Sequence, residues 1–284
     1  MRSIRMWWDR ARDGRDGVKV APSQWAVLDR VADLYAAGEF VEAEAEARAL
    51  AAAPRVRGGH PWLVPWLATF SACTAAIAHG RGAQVLPELE AMIEAAAHMD
   101  GGLYLRGKLL EVRSDRVLVL VQQDRCAEAE AEALDILRAI TRLAHFTEVW
   151  QSELEALAYL AGAVNGQGRY EEAEAVARGN LSRADEPTAA VLQRVLVDSL
   201  NGQGRYEEAL AEVRRLASVG RAGSGAGDLA TATALHGLGR RSEAEAAARS
   251  ALAACEQFLH PDHPRIRDAR MLLTRITAKD LDSA

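Results

Sequence analysis

The sequence has very little lysine and takes nearly all of its positive charge from arginine. Its lysines are Lys19, Lys108 and Lys279, and the formal net charge is −6 with both signs interspersed along the chain. Binding to a phosphate backbone needs clustered basic residues, so we do not expect nucleic acid as a partner. The bias towards arginine is typical of a GC-rich genome, and we expect a bacterial, specifically actinobacterial, origin.

Cysteine is scarce, and long apolar runs are missing. Cys73, Cys126 and Cys255 stand far apart without a CxxC pair, which fits a reducing compartment better than a disulfide framework. No run approaches the roughly 18 apolar residues that a membrane-spanning helix needs. The N-terminus also lacks the apolar stretch of a signal peptide. We therefore expect a cytoplasmic protein.

The sequence also lacks the motifs of common catalytic and cofactor sites. The GxSxG, HExxH and GxGxxG patterns are absent, and the glycine-rich stretch 220–227 has no Lys-Ser/Thr to hold a phosphate. No nucleophile with a base and an orienting acid can be assembled. We expect no enzymatic activity and no cofactor.

One cluster has the residue types of a metal site: Cys255, His260, Asp262 and His263. A closed structural zinc site needs four ligands of convincing spacing. Cys255 belongs to a predicted helix, and the HPDHP stretch has another explanation given below. We therefore expect no metal ion.

The composition favours closely packed helices. Apolar residues make up 49% of the chain and charged residues 26%, but aromatic residues only 5%. Alanine, the strongest helix former, is the most frequent residue. These proportions predict an all-α protein whose core forms from helices in close contact.

An internal repeat is explicit. The nonapeptide NGQGRYEEA occupies residues 165–173 and occurs again, unchanged, at 201–209. Each copy follows an apolar helical stretch and precedes an alanine-rich one, so the unit is predicted to be helix, turn, helix. Gly168 and Gly204 would end the first helix, because glycine takes a left-handed conformation without a Cβ clash. The paired glutamates that follow suit the N-terminus of the second helix.

Weaker copies extend the repeat in both directions. The predicted turns fall near residues 38, 80, 124, 168, 204 and 239. Six helix pairs would then account for residues 23–259, between an N-terminal segment 1–22 and a C-terminal segment 260–284.

These residues resemble the tetratricopeptide repeat family, whose motif includes G-x-Y-x-x-A. The motif is present as Gly168, Tyr170 and Ala173, and the turns at 38, 204 and 239 match it in part or in full. The turns at 80 and 124 depart from it, with Gly82 and Cys126 in the aromatic position. HPDHP at 260–264 and GGHP at 58–61 resemble loops of the kinesin-light-chain-like bacterial subtype. The resemblance implies a right-handed α-solenoid of about six antiparallel helix pairs.

Both ends of such a solenoid need a cover for the exposed apolar face. Residues 264–280 have an apolar helical face suited to a C-terminal capping helix. Residues 1–20 carry Trp7 and Trp8 among basic residues and are predicted to cap the first repeat. Docking to a partner, or to an anionic membrane surface, remains open for this segment.

In the resembling family the first helix of each pair lines a concave groove. This resemblance nominates six polar residues for partner binding: Gln122, Asn165, Arg194, Asp198, Asn201 and His236. Trp62, Trp66 and Trp150 are predicted to be core or inter-repeat anchors.

The favoured function is a non-enzymatic scaffold that holds a partner protein or peptide in the groove. Two alternatives remain open at this point. One is a regulatory sensor whose groove binds a small signalling ligand or peptide, and the other is a structural component that assembles with itself through the ends of the solenoid.

Overall fold

The computed structural model describes residues 21–54, 62–99, 102–144, 150–215 and 225–278. These ranges contain thirteen α-helices and no strands. The helices are α1 Pro22–Ala37, α2 Phe40–Ala52, α3 Leu63–His79, α4 Gly82–Ala96, α5 Gly102–Gln122, α6 Cys126–Leu143, α7 Trp150–Gly166, α8 Tyr170–Leu181, α9 Glu186–Gly202, α10 Tyr206–Val213, α11 Ala226–Gly237, α12 Arg241–Phe258 and α13 Pro264–Ala278. The N-terminal segment and its predicted capping role lie outside the described residues.

The helices form antiparallel pairs that stack in chain order. Helices α1, α3, α5, α7, α9 and α11, here called the first helices, each pack against the following second helix and against the next first helix. The all-α repeat fold predicted from the nonapeptide is confirmed. Among the described helices none is long and apolar enough to cross a membrane.

Each first helix ends in a left-handed residue. Gly168 and Gly204 have φ of 78° and 74°, and Asp124 reaches 60° without being a glycine. At α9 the Arg205 N–H donates to the Leu200 carbonyl at 2.9 Å, and the Gly204 N–H donates to the Asn201 carbonyl at 3.1 Å. This arrangement satisfies carbonyls that the end of a helix leaves free. The chain then reverses into the second helix within two residues.

Small residues bring the helices of a pair together. Ala43, Ala129, Ala173, Ala209 and Ala244, near the start of every second helix except α4, have no exposed surface. A larger side chain there would separate the pair, because a packed core has no spare volume.

Successive pairs are held by aromatic packing against glycine. The Tyr170 ring lies beside Gly202 of the next first helix, where an added Cβ would be 2.4 Å from the ring. Tyr206 lies in the same way against Gly237. The aromatic residue of the repeat motif thus depends on a glycine in the following repeat.

The polar residues of the nonapeptide also join neighbouring repeats. Arg205 donates to Glu174 of the preceding second helix at 2.6 Å, and Gln203 donates to the same carboxylate at 2.8 Å. Arg169 and Gln167 bind Glu130 in the same way, each at 2.7 Å. The motif therefore fixes the spacing between repeats as well as the turn within one.

The C-terminal residues return to the middle of the solenoid. The His260 N–H donates to the His79 carbonyl at 2.9 Å, and the two imidazole rings meet edge to face at 5.4 Å. His263 lies against Gly80, where an added Cβ would be 2.7 Å away. Arg267 reaches Asp124 at 3.5 Å. The solenoid thus completes a turn on itself, and we call these contacts the closure.

Helix α13 has one buried face and one that borders the interior of this turn. Ile266, Ala269, Leu272 and Ile276 are buried, and the helix packs on α11 and α12. The neighbouring face carries Arg265 and Asp268, which border the cavity described next.

Candidate functional site

The first helices and α13 surround a cavity of about 1040 Å³, here called the groove. Its volume is at the upper end of the range for small-molecule and cofactor sites. Its lining follows helical spacing, such as Glu111, Asp115, Leu118 and Gln122 along α5. Each first helix thus presents one stripe of residues to the interior.

One wall of the groove is acidic. On α5, Glu111 accepts two hydrogen bonds from the Lys108 ammonium at 2.9 Å, and both side chains are buried. Asp115, one turn on, accepts a 2.7 Å hydrogen bond from the Thr74 hydroxyl of α3. Burial, together with the nearby charge of Glu111, raises the pKa of Asp115 to about 7, although the bond from Thr74 opposes this shift.

A second carboxylate faces this wall from α7. Burial is the main cause that raises the pKa of Glu155 to about 8, and the charges of Glu111 and Asp115 add to it. Tyr159, one turn further along α7, has its pKa raised by burial and by the charges of Asp115 and Glu155. The charge of Asp115 therefore reaches both Glu155 and Tyr159 across the groove.

The opposite side of the groove contains charges of both signs. Arg194 and Asp198 of α9 face Arg265 and Asp268 of α13. Burial raises the pKa of Asp198, while Arg194 and Arg265 oppose the rise. Burial, and then the charge of Arg194, lowers the pKa of Arg265 to about 10. This side can interact with either an anion or a cation.

Several polar groups of the groove have no partner within the part of the chain that the structure describes. Glu155, Arg194, Asp198 and the hydroxyls of Tyr35 and Tyr159 neither donate nor accept a protein hydrogen bond there. Buried and recessed polar groups are normally satisfied by protein or by ordered water. The groove therefore offers several free hydrogen-bonding groups to a polar ligand.

Three of the six nominated residues line the groove: Gln122, Arg194 and Asp198. Gln122 is the last residue of α5, and its Oε1 lies near Gly82, where an added Cβ would be 3.0 Å from it.

The other three nominated residues lie outside the lining of the groove. Asn165 accepts a 2.9 Å hydrogen bond from Ser199, and Asn201 donates to the Ala230 carbonyl at 3.2 Å. Both asparagines thus connect one first helix to the next, because they lie in the last turn, on the side that meets the following repeat. His236, in the last turn of α11, is half-buried and does not border the cavity.

Sequence reasoning missed the acidic wall and the contribution of α13. Asp115, Glu155 and Tyr159 lie on the first helices, as the nominated residues do. Helical spacing along those helices could therefore have identified them in the sequence. Arg265 and Asp268 lie off the apolar face that the sequence predicts for the capping helix. They line the groove because the closure turns α13 inward.

Two further expectations can be compared with the structure. Trp66 is buried and Trp62 packs against the same core, but Trp150 is 46% exposed, so the anchoring role predicted for Trp150 is wrong. Trp150 opens α7 directly after the undescribed residues 145–149. Among the described residues no group of three His, Cys, Asp or Glu side chains is placed to hold a metal ion.

Comparison with known proteins gives similarity at the level of structure. No family model matches the chain, and no curated protein matches it. A Rap protein complexed with Competence and Sporulation Factor superposes with a TM-score of 0.64 at 15% identity, over 93% of this chain and 73% of that one. A tetratricopeptide repeat protein from Parabacteroides merdae has a TM-score of 0.46 at 12% identity, over 90% and 99%. The chain therefore has the fold of a tetratricopeptide-type helical solenoid.

Proposed function

We propose that this protein is a binding scaffold that holds a peptide, or an extended segment of a partner protein, in its groove. The observation that carries the proposal is a cavity of about 1040 Å³ lined by polar groups that find no hydrogen-bond partner among the described residues. An extended peptide offers alternating backbone donors and acceptors, which suit such a lining.

The shape of the groove supports a ligand of several residues. Its lining draws on seven helices, from Tyr35 of α1 to Arg275 of α13. A ligand in contact with all of them would bridge the repeats and the closure together. The structurally similar Rap protein is complexed with Competence and Sporulation Factor, which supports a solenoid of this fold acting as the receptor for a bound factor.

The proposal can be tested with peptides of random sequence. The full chain is immobilised, exposed to a heptapeptide pool and washed, and the retained peptides are sequenced. A groove-filling variant, Thr233→Trp, should lose most of the retained peptides, because Thr233 lines the cavity. The matched control is Val41→Trp, at a residue that is 53% exposed on α2.

The two variants separate groove binding from non-specific adsorption. If Thr233→Trp retains the same peptides at the same yield as the wild type and Val41→Trp, the groove is not the binding site. Changing Arg194, which has no ion-pair partner among the described residues, to Ala tests one polar contact without filling the cavity.

A further inference from the structure

The acidic wall of the groove contains two carboxylates that no described Arg, Lys or His side chain pairs with. Glu111 is paired with Lys108, whose ammonium bonds to both of its carboxylate oxygens. No Arg, Lys or His among the described residues pairs with Asp115 or Glu155. These two carboxylates come from α5 and α7, which pack directly against each other.

This arrangement differs from an ordinary acidic surface, because the carboxylates are recessed in a cavity with aromatic rings. Tyr35 of α1, Phe70 of α3 and Tyr159 of α7 line the same cavity. Asp115 acts electrostatically on both tyrosines, and Glu155 acts on Tyr159. Aromatic faces attract ammonium and guanidinium groups, most strongly where water is excluded.

The phenol hydroxyls give a second and independent indication of a ligand. Neither the Tyr35 hydroxyl nor the Tyr159 hydroxyl makes a protein hydrogen bond within the described residues. Each can accept a hydrogen bond from a cationic donor while the carboxylates supply the opposite charge. Rings, hydroxyls and carboxylates therefore favour the same kind of ligand group.

We infer that the groove binds a cationic group of its peptide ligand, a guanidinium or an ammonium, between Asp115 and Glu155 and against Tyr159. The inference rests on the proposed function and names the ligand chemistry of that site. A guanidinium suits it best, because its five donors can reach both carboxylates while its planar face lies on an aromatic ring.

Binding of a cation relieves an electrostatic cost that the free protein carries. Burial, and then repulsion from neighbouring carboxylates, raises the pKa values of Asp115 and Glu155 to about 7 and about 8, so near neutral pH both are partly protonated. A bound cation favours their ionised forms and displaces protons. Other charged groups near them are Lys108 and Glu111 of α5, Asp185 just before α9, and Arg194 of α9.

The test uses the immobilised full chain and two matched heptapeptide pools. In one pool a single position is fixed as arginine, and in the other as citrulline, which has nearly the same shape without the charge. We expect the arginine pool to be retained about tenfold more strongly or better at one position, the size of a charge-assisted contact. The double variant Asp115→Asn/Glu155→Gln should remove this preference.

A matched control carries the same loss of charge outside the groove. Glu171→Gln/Glu207→Gln neutralises two exposed carboxylates on α8 and α10 and should keep the arginine preference. A second readout needs no variant: the wild type should bind the arginine peptide more tightly at about pH 8.5 than at about pH 6. The citrulline peptide should show no such rise.

The outcomes separate this inference from the proposed function. If the wild type retains no peptide from either pool, the proposed function fails. If it retains arginine and citrulline peptides equally, and Thr233→Trp still abolishes retention, the groove binds peptides but the cation site is overturned. An arginine preference that survives in Asp115→Asn/Glu155→Gln would likewise overturn it.

Discussion

On the outer surface of the solenoid, arginine and glutamate are paired in the same register from repeat to repeat, whereas two carboxylates of the groove are paired with no described Arg, Lys or His. Arg205 donates to Glu208 at the start of α10, and Arg240 donates to Glu243 at the start of α12. Those bonds lower the pKa values of Glu208 and Glu243. The pKa of Glu155 instead rises to about 8.

The contrast separates charges that serve the fold from charges that are open to a ligand. The outer pairs recur because each repeat needs the same turn and the same junction with its neighbour. The groove carboxylates follow the repeat only in part. Glu155 stands at the same place before its turn as Glu111 of the preceding first helix, whereas Val191 and Ala226 hold that place on α9 and α11.

The largest expected effect comes from removing the ion-pair partner of Glu111 in the acidic wall. Changing Lys108, which is 1% exposed, to Met leaves Glu111 buried without its ion-pair partner. We expect the free energy of unfolding to fall by about 3–5 kcal/mol. Urea denaturation followed by circular dichroism measures the change.

A double variant shows whether the loss comes from an uncompensated charge. Lys108→Met/Glu111→Leu should recover much of the stability, because replacing a whole buried pair is often close to neutral. A double variant that is less stable than Lys108→Met would contradict this explanation.

Packing between repeats should produce the next largest effect. Gly202→Ala places a Cβ 2.4 Å from the Tyr170 ring and should destabilise the protein by roughly 1–3 kcal/mol. The control Gly179→Ala, in α8 with open space around it, should stabilise by about 0.5–1 kcal/mol. Thermal unfolding of both variants gives the comparison, and equal shifts would show that Tyr170 does not depend on Gly202.

The groove carboxylates should make stability depend on pH in a direction opposite to that of paired carboxylates. Their pKa values are raised in the folded state, so stability should fall as pH rises from about 4 to about 8. At about pH 8.5, Asp115→Asn/Glu155→Gln should therefore be more stable than the wild type, by on the order of 1–2 kcal/mol. Denaturation at several pH values tests this, and a double variant no more stable than Glu171→Gln/Glu207→Gln would count against it.

The smallest effect is expected at an outer pair. Arg205→Ala removes the contacts with Glu208 and Glu174, and exposed pairs contribute about 1 kcal/mol or less. The loss should shrink in high salt because exposed charges are screened. A loss that is unchanged in 1 M salt, an ionic strength at which such pairs contribute little, would show that Arg205 acts through packing.

Much of the fold could be predicted from the sequence because its determinants are local. Gly168, Gly204 and the glutamates after them specify a turn by backbone preference and charge alone. The repeated motif then fixes the number of helix pairs, and the small alanines indicate close packing. These features need no information from distant parts of the chain.

The groove was predicted in part, and the closure was not predicted at all. Gln122, Arg194 and Asp198 followed from the stripe on the first helices, but Asn165 and Asn201 face the next first helix and bond to it instead. The contact of His260 with His79 depends on the small rotation added by each repeat. The total rotation over all repeats determines which distant residues meet. It therefore also determines that Arg265 and Asp268 line the groove.

The most direct test of the contrast between the two surfaces is a carboxylate-detected NMR titration of the full chain, assigned with Asp115→Asn and Glu155→Gln. The account predicts that Asp115 and Glu155 titrate near pH 7 and 8, while Glu208 and Glu243 titrate below the usual range for glutamate. If Asp115 and Glu155 instead titrate near pH 4, like ordinary solvated carboxylates, the groove does not carry the unneutralised charge on which the proposed ligand preference depends.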